Sequence, residues 1–213
     1  MKRSPFYLFL SLMLICVTAH AAPLGRAAAD FDNTYPQRGE TAWGRFAADA
    51  IQSAAHSDIA LINAGALKAG VLRAGEISSS QVNALLSFPG DEIVTISISG
   101  AQLHAALERA VQAYPTGSTA FLHGAGFTAT FNTQAPTNER LTMLRINGRE
   151  VQNDDSIRAA MPSGLAQGGA GYFTIWNGDK AVKSKATVSQ AIASLVKSSG
   201  AVSPDDVVRL LPQ

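Results

Sequence analysis

The chain has 213 residues and a formal net charge of +1, with only 15% of its residues charged. So balanced a charge carries no field that would draw the protein to nucleic acid or to an acidic lipid surface. The single cysteine, Cys16, lies in the N-terminal apolar stretch, so the rest of the chain has neither a disulfide framework nor a cysteine nucleophile.

The first residues set the expected compartment. Lys2 and Arg3 form a basic head, an apolar stretch runs from Phe6 to Val17, and Ala19-His20-Ala21 gives a small-x-small pattern before Ala22. This is the layout of a secretory signal peptide over residues 1–21, cleaved after Ala21. The stretch falls short of the ~20 apolar residues that a membrane-spanning helix needs. No second apolar run approaches that length. The expectation is a periplasmic or secreted protein, off the membrane once the signal is removed. Residues 22–213 then remain, enough for one substantial core.

Residues 22–37 show no clear period and read as a loose leader before a domain over 38–213. Trp43, Phe46, Ala47, Ala50, Ile51 and Ala54 recur on one face of a helix. Asp58 to Ile62 reads as a short buried strand, stopped by Asn63-Ala64-Gly65. Ser78-x-x-Gln81 is a capping box that opens a short helix through Val82, Leu85 and Leu86. Phe88-Pro89-Gly90-Asp91 is a turn, and Glu92 to Ile98 is a strand rich in β-branched residues. Ser99-x-x-Gln102 opens a second helix that buries Leu103, Leu107, Ala110 and Val111 and ends near Tyr114-Pro115.

Further on, Phe127, Ala129 and Phe131 alternate with Thr128 and Thr130, the pattern of a half-buried strand. Leu141–Ile146, Asn147-Gly148 and Arg149–Val151 make a hairpin, because Asn-Gly supplies the positive φ angles of a tight turn. Ser156 to Met161 is another strand. A glycine-rich loop follows, with Tyr172 to Trp176 as a final short strand. Thr187-x-x-Gln190 opens a third capped helix, which buries Val188, Ile192, Leu195 and Val196 and stops at Gly200. Helices and strands are interspersed, yet the hairpin demands antiparallel pairing. The reading is an α+β domain, a mixed sheet with packed helices.

Little in this pattern is catalytic. Beyond the signal the histidines are His56, His104 and His123. There is no Asp-x-His, Gly-Asn-His or Gly-His-x-His run of the kind a two-metal phosphoesterase centre needs. No Gly-x-Ser-x-Gly elbow presents a serine, and Ser163-Gly164 lacks the preceding glycine. Asp154-Asp155 and Asp205-Asp206 read as turn or helix-start pairs. The expectation is no catalytic residue, no metal and no cofactor. Gly168-Gly169-Ala170-Gly171 is the most unusual stretch. Its glycines either let the backbone approach a ligand closely or simply make a tight turn, and it is not a phosphate loop of the Gly-x-x-x-x-Gly-Lys type.

Several segments form an ordered set over residues 38–200. Gly39-Glu40-Thr41, Gly44 and Ala48-Asp49-Ala50 come first, then Asn63-Ala64-Gly65-Ala66-Leu67-Lys68 after the first strand. Ala74-Gly75-Glu76-Ile77, Phe88-Pro89-Gly90-Asp91, Ser99-Gly100-Ala101-Gln102-Leu103 and Gly168-Gly169-Ala170-Gly171-Tyr172 follow. This set resembles the C-terminal domain of the 5′-nucleotidase and UDP-sugar hydrolase family.

The resemblance implies a division of labour. In that family an N-terminal domain holds two metals and hydrolyses the phosphate ester. The C-terminal domain holds base and sugar, with the base stacked between two aromatic rings. This chain looks like the second domain alone, exported. By the same resemblance Asn63 hydrogen-bonds the ligand and Arg38 lies near an early ligand arginine. Lys68 stands where the family has arginine, keeping the charge without the planar fork. Phe88 is the first stacking ring, with Phe and Pro swapped relative to the family. Gly168, Gly169 and Tyr172 belong to the ligand loop. The second ring's place is taken by Gly164, and the loop aspartate's by Ala170.

Three functions compete. The domain binds a nucleoside- or nucleotide-type molecule in nucleotide catabolism. Alternatively it is the specificity subunit of a split hydrolase whose metallophosphoesterase is a separate chain. Or it is a repurposed protein-interaction scaffold, which the changes at Lys68, Gly164 and Ala170 favour over strict nucleotide recognition. Hydrolysis by this chain alone is not expected.

Overall fold

The structure is a computed structural model and describes residues 22–213. The expected signal peptide, with Cys16, lies outside the described residues. In chain order, β1 (Gly25–Ala27) and β2 (Phe31–Asn33) precede α1 (Ala42–Ala55) and β3 (Ile59–Asn63). Next come β4 (Gly70–Leu72), β5 (Gly75–Ile77), α2 (Ser79–Ala84), β6 (Glu92–Ser99) and α3 (Gly100–Val111). Then follow β7 (Leu122–Ala125), β8 (Phe127–Phe131), β9 (Leu141–Ile146), β10 (Arg149–Glu150), β11 (Ser156–Pro162) and α4 (Ser163–Ala166). The chain closes with β12 (Val182–Thr187), α5 (Val188–Ser199), β13 (Ala201–Val202) and β14 (Leu210–Pro212). None of these helices is long and apolar enough to cross a membrane.

A five-stranded sheet of order β12-β6-β11-β3-β7 is the centre of the molecule. Its β3 and β11 run parallel, and its other pairs are antiparallel. Both faces are covered. Ile59, Leu61, Val94, Ile96, Ala159 and Met161 face one cluster with α3 and the inner side of β8. Ala60, Ile62, Ile93 and Ala160 face the other, with α1 and α5. Double burial is why β3 reads as a continuous apolar run and not as an alternation. A second sheet, β10-β9-β8-β14, packs its Phe127, Ala129 and Phe131 side inward. The mixed α+β architecture is thus as expected.

Local chemistry accounts for the helix starts. Ser78, Ser99 and Thr187 each form a complete capping box with the glutamine three residues on. The Asn147-Gly148 turn has φ of 51° and 77° and joins antiparallel β9 and β10. Two expectations fail. Residues 22–37 are not a loose leader: β1 pairs with β5 and β13, β2 pairs with β4, and Phe31 is fully buried. Its ring lies 5.0 Å from that of Phe46. Three-residue strands are too short to show a period. Nor do Tyr172–Trp176 form a strand. Gly169–Thr174 is a 3₁₀ turn, and Gly168, Ala170 and Gly171 all have positive φ, which an extended strand does not allow.

The first-helix motif holds the fold together. Thr41 caps α1 by accepting from the Gly44 amide (3.1 Å). His123, fully buried on β7, donates from Nε2 to the Pro36 carbonyl (3.0 Å) and accepts the Thr41 N–H at Nδ1 (3.4 Å). Burial pushes its pKa down to about 4, so the ring is neutral. A Cβ on Gly44 would lie 2.2 Å from His123 Nδ1. Glu40 accepts the Arg209 backbone N–H (2.7 Å), and both Asp49 oxygens lie 3.2 Å from Arg209 Nη2. Asp205 accepts from Arg209 Nη1 (2.7 Å) and Arg45 Nε (3.2 Å). This clasp delivers the tail to β8, where β14 pairs in parallel. Burial raises Glu40 to about 7 and Asp49 to about 6. The Glu40 Oε1 is buried without a hydrogen-bond partner among the described residues.

Two tests follow from this packing. Gly44→Ala must displace the His123 ring and should cost about 1–3 kcal/mol, read from the denaturant midpoint. Gly39→Ala is the control, since its Cβ would meet nothing nearer than Tyr114 at 3.6 Å. The clasp adds a pH dependence. Glu40 has a folded pKa raised from 4.5 to about 7, so its contribution is full below pH 4.5 and is lost as pH rises through 7. Asp49 acts in the same direction, and the lowered Asp205 matters only at more acidic pH. His123, its folded pKa lowered from 6.5 to about 4, acts oppositely and adds stability as pH rises to 6.5, so the net fall between about pH 5 and pH 7 is smaller than Glu40's own contribution of order 3 kcal/mol. Glu40→Gln should flatten that slope in thermal melts.

Candidate functional site

Because β3 and β11 are parallel while β6 and β7 run opposite to them, four chain ends meet at one rim of the central sheet. There Asn63 ends β3, Pro162 ends β11, Asp91 leads into β6, and the loop at Thr119 leads into β7. Between them lies a cavity of about 270 Å³, walled by Asn63, Phe88, Thr119, Gly164, Gly169 and Ala170 among others. Open sheets with parallel strands commonly bind ligands at such carboxyl ends.

Each wall has a local cause. The Asn63 Nδ2 donates to the Thr119 carbonyl (3.1 Å), which fixes the amide and leaves Oδ1 without a protein partner among the described residues. Phe88 sits on a turn closed by the Asp91 N–H donating to its carbonyl (3.1 Å), and it is 63% exposed. The Asp91 carboxylate accepts from the Ser163 hydroxyl and from the Gly164 N–H (3.3 Å). That tie sets Gly164 beside Phe88, where a broad depression opens to solvent. A Cβ on Gly164 would meet only Asp91, at 3.4 Å. The third wall is the glycine loop. Gly168 has φ 88°, and a Cβ there would lie 2.5 Å from the Phe173 Cα. Ala170 has φ 55° and ψ 21°, a left-handed conformation that costs a non-glycine residue roughly 1 kcal/mol.

The structure sorts the seven expected site residues. Asn63, Phe88 and Gly169 come together on the cavity wall. Gly168 is buried behind it and shapes the loop. Tyr172 is a correction. Its ring is fully buried and stacked on Trp176 (5.0 Å, 7°), and its hydroxyl donates to the Ala120 carbonyl (2.6 Å). Burial raises its pKa, so the phenol stays neutral and anchors the loop to the core. Lys68 is exposed on the turn after β3 and does not line the cavity. Its backbone serves the fold, the N–H donating to the Leu85 carbonyl (3.0 Å) and the carbonyl accepting from Asn33 Nδ2 (2.7 Å).

Arg38 also lies off the cavity, its guanidinium 5.0 Å from the centre of the Tyr35 ring. Its loop is nonetheless tied to the Thr119 loop, where the Ser118 N–H donates to the Gln37 carbonyl (2.8 Å). Sequence reading missed Thr119 and Asp91 as wall residues. Thr119 belongs to no motif, and Asp91 reads only as a turn residue. Among the described residues no three His, Cys, Asp or Glu side chains are grouped so as to hold a metal ion. The arrangement offers one exposed aromatic face and one free amide acceptor, which suits a flat polar ring.

Compared with curated proteins, the sequence has no match. Solved structures do share its fold. A 5′-nucleotidase precursor from Thermus thermophilus is 20% identical with a TM-score of 0.80, covering 89% of this chain and 39% of its own. The NAD nucleotidase of Haemophilus influenzae is 18% identical with a TM-score of 0.76, covering 90% and 38%. The sulfate thiohydrolase SoxB of Thermus thermophilus is 17% identical with a TM-score of 0.69, covering 90% and 35%. The chain therefore spans under two fifths of the length of each of these structures. Its sequence matches the family model of the 5′-nucleotidase C-terminal domain over residues 17–177, and the chain belongs to that family.

Proposed function

We propose that this domain binds a nucleoside- or nucleotide-type ligand, its planar base laid on Phe88 and its polar edge turned to Asn63. The observation that carries the reading is Phe88 itself, 63% exposed at the mouth of a cavity that also presents an unengaged amide oxygen. Family membership supports the same ligand class. In this reading the domain is exported through the signal in residues 1–21 and serves nucleotide catabolism as a specificity element. A metallophosphoesterase chain would supply the water-activating metals. A second reading, a protein-interaction scaffold, draws on the missing side chain at Gly164 and on Ala170 within the loop.

Stacking on one aromatic is worth ~1–3 kcal/mol per base. With no side chain at Gly164, which lines the same depression as Phe88, the platform is one-sided, and affinity should sit about ten- to a hundredfold below that of a two-ring clamp. Melting of the chain from Ala22 onward against nucleosides, nucleotides and UDP-sugars tests this. A ligand at a hundred times its dissociation constant adds about 2.7 kcal/mol. Phe88→Ala should cut that shift by about 1–2.5 kcal/mol while leaving the ligand-free melt within about 0.5 kcal/mol, since the ring is exposed. Gly164→Phe, whose Cβ would meet only Asp91, should tighten binding about ten- to a hundredfold. No shift at millimolar concentration of any of these ligands would reject the binding reading in favour of the scaffold.

A further inference from the structure

The glycine loop does not hold its shape by local sequence alone. Gly168 and Gly171 accept left-handed backbone freely, but between them Ala170 does not. What meets Ala170 is Arg109, from the last turn of α3. Its Nε and Nη2 both donate to the Ala170 carbonyl, at 3.2 and 2.7 Å. Its guanidinium carbon lies 5.4 Å from the centre of the Tyr172 ring. A Cβ on Gly171 would come within 1.9 Å of Arg109 Nη2, so the glycine there is the space that the guanidinium occupies. Among the described residues no ion pair involves Arg109. The forked donor is thus committed to one carbonyl, and two charge-assisted bonds offset the left-handed cost at Ala170.

We infer that Arg109 is a positioning residue for the pocket: by gripping the Ala170 carbonyl it fixes the loop that forms one cavity wall, without touching the ligand. The wall residues concerned are Gly169 and Ala170. Tyr172, anchored beneath them on the Ala120 carbonyl, supplies the surface on which the guanidinium rests. The effect on ligand affinity rests on the pocket reading above; the grip on the loop does not.

The test therefore has a ligand-free arm and a ligand arm. Amide hydrogen exchange is measured on the chain and on Arg109→Met, Arg109→Lys and Ala170→Asn, alone and combined. Arg109→Met keeps the apolar stem and removes the donors, and Arg109→Lys keeps the charge without the fork. Both should speed exchange in residues 169–174 by about ten- to a hundredfold while leaving β3 and β11 unchanged. Ala170→Asn should restore most of the protection in either background and change little by itself, because asparagine tolerates the left-handed region. Three results would overturn the inference. One is unchanged loop exchange in both Arg109 variants. Another is faster exchange by the same factor throughout the fold. The last is an effect of Ala170→Asn that is the same with and without Arg109. In the ligand arm, adenosine should bind Arg109→Met about tenfold more weakly than the parent, and equal affinity would again overturn it. If adenosine and the other nucleosides fail to bind the parent, the pocket reading falls, and the exchange arm still decides the role of Arg109.

Discussion

The parallel pairing of β3 with β11, buried on both faces, is the constraint on which the rest depends. Their paired residues Ile59, Ala60, Ala159 and Ala160 are all fully buried, which leaves the backbone ladder no alternative partner in water. Parallel strands end at the same edge. Asn63 and Gly164 are 101 residues apart in sequence, yet they share a rim because those two strands are neighbours. The antiparallel partners β6 and β7 then bring their starts to that rim, with Asp91 and Thr119. The cavity is a consequence of sheet direction.

The residues of the first-helix motif serve this scaffold. Thr41 caps α1, Gly44 vacates the space that the His123 ring fills, and Glu40 and Asp49 grip Arg209. Through Arg209 the tail reaches β8 and closes the second sheet. A buried carboxylate that spends one oxygen on backbone amides and leaves the other without a partner among the described residues is costly when ionised. That cost gives the clasp its pH dependence and separates it from the surface ion pair of Arg73 with Asp30, both of which stand well in solvent.

The site itself is asymmetric. One wall is the exposed ring of Phe88, and Gly164, which lines the same cavity, adds no side chain. The glycine loop supplies backbone in place of side chains, and its geometry is imposed from below by Tyr172 and from the side by Arg109.

What the sequence determined by itself was whatever closes over three or four residues. The capping boxes at Ser78, Ser99 and Thr187, the Thr41 helix and the Asn147-Gly148 hairpin all stand as read, because donor, acceptor and turn angle lie within one short segment. The ordered motifs also carried the family, and three of the residues they pointed to, Asn63, Phe88 and Gly169, line the cavity. Tertiary structure alone decided the strands of residues 25–33, whose three-residue lengths hold too few side chains to show a period and whose partners lie far along the chain. It decided that Tyr172 belongs to the core, since a phenol next to glycines reads as a binding ring until the Ala120 carbonyl claims its hydroxyl. It placed Lys68 and Arg38 off the cavity, and it joined Arg109 to Ala170. Those outcomes depend on which surfaces meet after folding, and pairs such as Ala120 with Tyr172 and Arg109 with Ala170, 52 and 61 residues apart, leave no local pattern to read.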